Sequence, residues 1–316
     1  MTRRRNPSRF ILPFFLQNYT CRIKEPVRQL LYYVLSRESG EKAAAGVSAN
    51  LQQTMPTTFA HYSFGGEVRK RFSPKLQQLI GENADLFNIG LHGPDILFYY
   101  KALKKNPVKA QGSEIHKREF TSFLENARSI LREKGEKAQE IAYLSGFICH
   151  YMLDSQCHPY IREREEEGLD HAEIEAEFDR LLMEEHGLNP LKHKPVGHIK
   201  PTLECASVIA KFFHEVDPEE ILRALKSMRL NLSMLVAPGG MKRLLVATAF
   251  KLSGNYQGMI GLLLKKDPEA GFPEISRELK ALYLDAVEET AELIEGFVAN
   301  LSGGAPLSSR FARNFG

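Results

Sequence analysis

The chain has no tryptophan and only four cysteines among its 316 residues. Cys21, Cys149, Cys157 and Cys205 form no CxxC pair and no framework spacing, which excludes a disulfide-stapled scaffold and a thiolate knuckle and fits a reducing, cytoplasmic setting. No histidine is followed by aspartate and none has glutamate three residues before it, so the adjacent His-Asp pair of HD-type phosphohydrolases and the Glu-x-x-His element of di-iron bundles are both missing. A GxSxG nucleophile elbow is missing too, and with it any support for serine catalysis. Long apolar runs are absent: the longest in the leader, Phe10 to Leu16, is interrupted by Pro13 and is too short to span a bilayer. Arg3 to Arg5 before that run imitates the start of a signal peptide, but no small-residue cleavage pattern follows, so a cytoplasmic location is expected, with secretion as the alternative.

A large excess of one charge is lacking as well. The net of +3 divides unevenly, because residues 1–54 hold nine Lys/Arg and three Glu, a net of +6, which leaves the remainder at −3. A mildly acidic body argues against extended nucleic acid as a partner, since binding many phosphates needs matching Lys and Arg. Residues 1–54 also contain no His and no Asp and end in a low-hydrophobicity stretch from Gly40 to Thr54. Two readings of this leader stand: a disordered basic arm, or a segment outside the native protein, with Met55 as the true initiator. The expected organisation is a basic leader at 1–54, one helical domain at 55–302 and a flexible tail at 303–316 that should fray.

What is present is histidine beside carboxylate. In GFICHYMLDSQCHPYI, His150, Asp154 and His158 stand at i, i+4 and i+8, a spacing that drifts slowly around one helix face. Pro159 is expected to end that helix, and after an acidic connector His171 and Glu175 repeat the i, i+4 spacing on the next one. Two antiparallel helices would then aim five such groups into one space. Phe147, Ile148, Tyr151 and Leu153 surround the first pair, so the helix is expected to be buried, and buried charge needs a partner or a metal. Imidazole and carboxylate without thiolate suit a divalent ion such as zinc in a catalytic site.

Other candidates lie upstream. His61 sits among Phe59, Tyr62 and Phe64 before an expected turn at Gly65-Gly66, and a lone His there reads equally as a core residue. His92 and Asp95 fall in a Gly/Pro-punctuated segment, with Asp95 the better ligand and helix capping its competing role. Lys101 to Lys109 reads as a solvated basic loop, and His116 as the start of a helix reaching Arg132. NPLKHKPVGH, with His193 and His198, reads as a solvated loop because Lys192 and Lys194 disfavour a cation. Beyond Pro201 the pattern is helical throughout: Asp217-Pro218-Glu219-Glu220 combines an N-cap, an N1 proline and a capping-box acid. Ile275, Leu279, Leu282, Ala286, Leu293 and Phe297 keep a 3.6-residue period. No alternating strand pattern occurs, and the expected fold is all-α, a multi-helix bundle with a metal cluster between helices of the N-terminal half.

Taken in order, His61, Asp95, His116, His150, Asp154, His158, His171 and Glu175 resemble the ligand series of the bacterial zinc-dependent phospholipase C family, which is related to zinc-dependent S1/P1-type nucleases. The resemblance covers roughly Pro56 to Glu185. It implies a helical fold and two or three zinc ions: one held by Asp95, His116, His150 and Asp154, a second by His158, His171 and Glu175, and a third by His61, Asp154 and an N-terminal amine. It implies hydrolysis of a phospholipid or other small phosphodiester by metal-activated water, with Asp95 as general base and transient contact with a membrane surface. Hydrolysis of nucleotides on the same cluster, or metal binding without catalysis, are the alternatives. The family's amine comes from an N-terminal tryptophan that this chain lacks; were Met55 the start and removed, Pro56 would offer one instead. His158 also follows Asp154 more closely than the family spacing.

Overall fold

A computed structural model describes residues 58–316 apart from 103, 135–137, 254–255 and 302. The leader, Met55 and Pro56 lie outside the described residues. Among those described, every regular element is helical and there is no strand, as the periodicity predicts. The first elements are α1 (Thr58–Arg69), α2 (Pro74–Glu82), α3 (Ala84–Gly90), a 3-10 segment (Gly93–Tyr99), α4 (Pro107–Lys117) and α5 (Phe120–Lys134). They are followed by α6 (Ala138–Glu166), α7 (His171–Glu185), α8 (Leu203–Ile209), α9 (Pro218–Leu235), α10 (Gly240–Ser253), α11 (Gln257–Ile260) and α12 (Phe272–Ala299).

Helix α6 is the axis of the fold. It packs against α1, α3, α12 and the 3-10 segment, and every residue from Glu140 to Ser155 is buried. Two glycines let α3 lie directly on it: a Cβ on Gly90 would come within 2.2 Å of the Tyr143 carbonyl oxygen, and one on Gly146 within 2.2 Å of that of Phe87. Gly93 serves the same approach at the site itself. It takes φ +45°, and a Cβ there would strike the His150 ring at 2.2 Å, so only glycine fits both the backbone and the space.

The capping chemistry falls where the sequence puts it. The Ser73 side chain accepts from the Leu76 amide ahead of Pro74, and Asp217 and Glu220 close a capping box at the head of α9. In α12 the periodic residues Leu279, Ala286 and Phe297 are buried.

Several expectations need correction. Pro159 does not end α6, which continues to Glu166. Proline removes one N–H from the ladder, and tertiary contacts hold the helix across it: Arg310 Nη1 donates to Ser155 Oγ at 3.1 Å, and Cys157 and Ile161 are buried on either side. Gly65-Gly66 is no turn, because α1 runs through it with Phe64 and Val68 in the core and the Leu91 side chain filling the space beside Gly65. Residues 101–109 are not wholly a solvated loop. Asn106 caps and Pro107 opens α4, whose Val108 is buried, and His116 stands in that helix's last turn.

The tail does not fray. Phe311 and Phe315 are buried, the Tyr151 hydroxyl donates to the Arg310 carbonyl at 2.8 Å, and the Phe315 amide donates to the His116 carbonyl. Aromatic side chains at 311 and 315 recover enough apolar burial to offset the entropy of ordering a terminus.

Candidate metal centre

Helix α6 supplies His150, Asp154 and His158 from one face, α1 brings His61, the 3-10 segment brings Asp95, α4 brings His116, and α7 brings His171 and Glu175. These eight residues converge. His61, His150 and Asp154 form one group, Asp95, His116 and His150 a second, and His158, His171 and Glu175 a third, with the candidate ligand atoms of each group within 4.8 Å of one another. His150 belongs to two of the groups, so they adjoin.

Carboxylates sit at the hubs. Asp154 Oδ1 lies 3.2 Å from His61 Nε2 and 3.9 Å from His158 Nε2, while its Oδ2 lies 3.1 Å from His150 Nε2. Asp95 reaches His116 Nε2 at 3.1 Å and His150 Nε2 at 3.7 Å. It does not cap its segment, whose N-cap is His92 with no side-chain cap bond. Glu175 Oε1 meets His171 Nε2 at 3.3 Å and His158 Nε2 at 3.7 Å.

Outer partners orient three of the imidazoles. His116 Nδ1 donates to the Gly112 carbonyl at 2.7 Å, His158 Nδ1 to the Phe315 carbonyl at 3.1 Å, and His171 Nδ1 faces Glu165 at 3.1 Å. Each arrangement turns Nε2 toward the cluster, as ligating histidines require. His61 and His150 have no such partner at Nδ1; their rings stack on each other at 4.4 Å.

The electrostatics follow from packing charge inside. Burial opposes the imidazolium of His61, but Asp154 more than offsets it and the pKa rises. His116 behaves likewise, with Asp95 outweighing burial, and His171, against the same penalty, is lifted to about 10 by Glu175 and Glu165. Burial pushes Glu175 upward, yet His171 and His158 bring it down to about 2. For Asp154 too, burial is outweighed by His150, His158 and His61, which hold it well below the ordinary carboxylate range.

The donor set fits zinc: nitrogen and oxygen ligands only, the composition of sites that keep an open position. A further observation of geometry agrees. His150 Nε2 is buried beside two carboxylates and yet makes a hydrogen bond to neither. An orphaned buried nitrogen is costly, and an ion between it and those oxygens would satisfy all three.

The other histidines lie apart. His92, the lesser candidate of its segment, sets its Nε2 2.8 Å from His198 Nε2. Burial and the neighbouring His198 hold it well below its ordinary pKa, and burial with the nearby His193 takes His198 to about 3. The NPLKHKPVGH stretch is therefore not simply solvated: Val196 and Ile199 are buried, and the His198 ring stacks on Tyr62 at 4.2 Å. The apolar residues around His198 pull the loop onto the body despite its lysines.

One supporting residue escaped the sequence reading. Asp179 accepts from the Phe59 amide at 3.0 Å and the Ala60 amide at 2.8 Å, fixing the first turn of α1 just before His61. Its signal was available, since Asp179 extends the four-residue step of His171 and Glu175. The Gly112 and Phe315 carbonyls are backbone atoms and leave no such trace.

The described residues thus set adjoining His/carboxylate triads, groups that could hold metal ions, at the axis of a helical fold. The family model for zinc dependent phospholipase C matches residues 57–226, more than half of the chain, and the chain belongs to that family. No curated protein and no solved structure matches it. The matched stretch contains all eight candidate ligands.

Proposed function

We propose that the protein is a zinc-dependent phosphodiester hydrolase of the phospholipase C type, releasing a phosphorylated headgroup from a phospholipid or a comparable small phosphodiester. The observation that supports this reading is Asp154, which stands 3.1 Å from His150 and 3.9 Å from His158 and so lies between the two adjoining ligand groups. Bound zinc would lower the pKa of a water and withdraw charge from the phosphoryl and leaving oxygens. Asp95, His116, His150 and Asp154 are assigned to one ion, and His158, His171 and Glu175 to a second. Asp154 and His61 have the geometry to share a third.

The chain's own residues do the rest. Asp95 is assigned to accept the proton of the attacking water, and its contact with His116 Nε2 keeps the carboxylate oriented. Asp154, within 3.9 Å of His61, His150 and His158, would balance the charge of the bound ions. Aromatic packing of Phe315 against His116 and His150 shields that side of the cluster from bulk water.

The test is hydrolysis of a soluble chromogenic phosphorylcholine diester and of phosphatidylcholine, before and after chelation and zinc return. Activity should vanish with chelator and come back with zinc, and Asp95→Asn, which removes a ligand oxygen and the proton acceptor together, should turn over far more slowly even in saturating zinc. Cleavage of bis-nitrophenyl phosphate and cyclic nucleotides but no choline ester would move the substrate class to nucleotides. Absence of any phosphodiesterase activity in the zinc-replete protein would refute the proposal.

A further inference from the structure

Charge and exposed apolar surface concentrate together in one part of the molecule that the metal chemistry does not use. Residues 221–266 hold eight Lys/Arg and no Asp or Glu, whereas the remainder of 55–316 holds 25 basic and 36 acidic residues. A stretch free of acids in an otherwise acidic body gives a local excess of positive charge, although Lys265 within it is paired with Glu173 and Glu269.

Within it, α10 carries two faces. Val246, Ala249 and Phe250 point inward, and Val246 and Phe250 join Leu263 in a small core of their own. Outward lie Met241, Leu244, Thr248, Lys251 and Leu252, at steps of three, four, three and one that keep one face of a helix. Met241 is 81% and Leu244 68% exposed. Of the six large apolar side chains exposed among the described residues, three are on this one helix. Lys251 stands on that face, 5.0 Å from the centroid of the Tyr256 ring, while Lys242 and Arg243 turn toward the body and donate to the Ser233 and Leu263 carbonyls.

The same segment borders the metal centre. A groove beside Glu175 is walled by Met183, Leu191, Leu232, Leu235, Val236 and Leu264. The last turn of α9 supplies part of that wall and leads straight into α10, and Leu235 and Ala237 pack on the small core under it. The small core under α10 thus adjoins the apolar groove, and a candidate ligand is among the residues that line it.

We infer that the outward face of α10 docks on an anionic lipid bilayer, setting Met241, Leu244 and Leu252 into the interface while the basic segment faces the headgroups. Charge complementarity selects this occupant: an apolar face that carries Lys251, in a segment with eight Lys/Arg and no acid across 46 residues, is the pattern of a helix that lies in a charged interface. No described helix is long and apolar enough to cross a membrane, so the contact is peripheral. The surface lies beyond the family-matched residues 57–226. This deepens the phospholipase reading by naming how a lipid substrate would be approached, and it rests on that reading for its purpose only.

The absence of tryptophan provides a clean probe. The zinc-loaded full chain with Leu244→Trp has a single tryptophan, whose emission should shift to the blue on adding phosphatidylcholine vesicles with phosphatidylserine, and shift far less with phosphatidylcholine alone or in high salt. In a flotation assay with the same vesicles, Met241→Glu/Leu244→Glu should lower the bound fraction about tenfold or more. Should that variant lose helix signal or zinc, Met241→Ser/Leu244→Ser replaces it. Unchanged tryptophan emission, wild-type protein left unbound by anionic vesicles, or undiminished binding of the variant would overturn the inference. So would a concentration-dependent dimer broken by the same substitutions without vesicle binding, which would make a second copy the occupant. Hydrolysis of the soluble diester is measured separately, so loss of the docking reading and loss of the hydrolase reading are distinct results.

Discussion

Helices α6 and α12 are almost equal in length, 29 and 28 residues, and pack against each other, yet they put their polar residues to opposite uses. In α12 the apolar residues form a stripe and the charged ones face outward, as at Glu278, Asp285 and Glu292. In α6 the burial is unbroken from Glu140 to Ser155, so no polar face exists and His150 and Asp154 have to find partners inside. The first arrangement stabilises the bundle. The second costs stability unless the buried charges are paired or bind a metal, which is why the chemistry collects on α6 and leaves α12 free of it.

If that separation is real, substitutions in the two helices should fail in different ways. Asp154→Asn removes the charge shared by three histidines. Zinc per chain should fall and turnover should drop by at least on the order of a hundredfold, the size that losses in supporting residues alone can reach, while the far-ultraviolet helix signal stays. Leu279→Ala, at a fully buried position of α12, should do the reverse. It is expected to cost about 2–5 kcal/mol in urea unfolding with zinc stoichiometry kept. A Leu279 variant that loses zinc at a temperature where it remains folded would break the comparison.

Smaller effects sharpen it. Saturating zinc at about a thousand times its Kd should raise the unfolding free energy of the wild type by ~4 kcal/mol, and Asp154→Asn should gain much less. Phe315→Ala loosens the anchor that brings a carbonyl to His158 Nδ1. Zinc affinity, read by competition with a chromophoric chelator, should fall about tenfold.

The pH dependence is smaller still and has a definite sign. His61, His116 and His171 are raised in the metal-free protein, and zinc takes neutral imidazole, so binding should release protons and weaken as pH falls. Titration calorimetry in buffers of different ionisation enthalpy reads this directly. In the zinc-free protein the contribution of His171 is full below its ordinary 6.5 and is lost as pH rises through about 10. That of Glu175 is full above 4.5 and lost as pH falls through about 2. Both are therefore complete only between those ordinary values, and chelated protein should lose this stabilisation on either side of that window.

The helical fold was legible because its signals are local: the 3.6-residue period of α12, the capping box before α9 and the Ser73-Pro74 start of α2 each depend on neighbours in sequence. The candidate ligands were legible for a related reason, since His150 to Asp154 and His171 to Glu175 are helical spacings and the order of types along the chain resembles a family. What was missed depends on distant contacts. Pro159 reads as a stop until Arg310 and the buried flanks of α6 are in place. Residues 303–316 read as a loose tail because only the folded body provides the pocket for Phe311 and Phe315. His198 looks solvated beside its lysines until Tyr62 and His92 stack around it. In each case packing overrode a local preference.

The most direct test is zinc content, measured by plasma mass spectrometry after dialysis against zinc and then buffer, for the wild type, Asp154→Asn and Leu279→Ala side by side. Two or three zinc ions per chain in the wild type and in Leu279→Ala, with a clear fall in Asp154→Asn, is the predicted result. Less than one ion per chain in the wild type, or a content that Asp154→Asn leaves unchanged, would contradict it and return the buried histidines and carboxylates to the role of internal ion pairs.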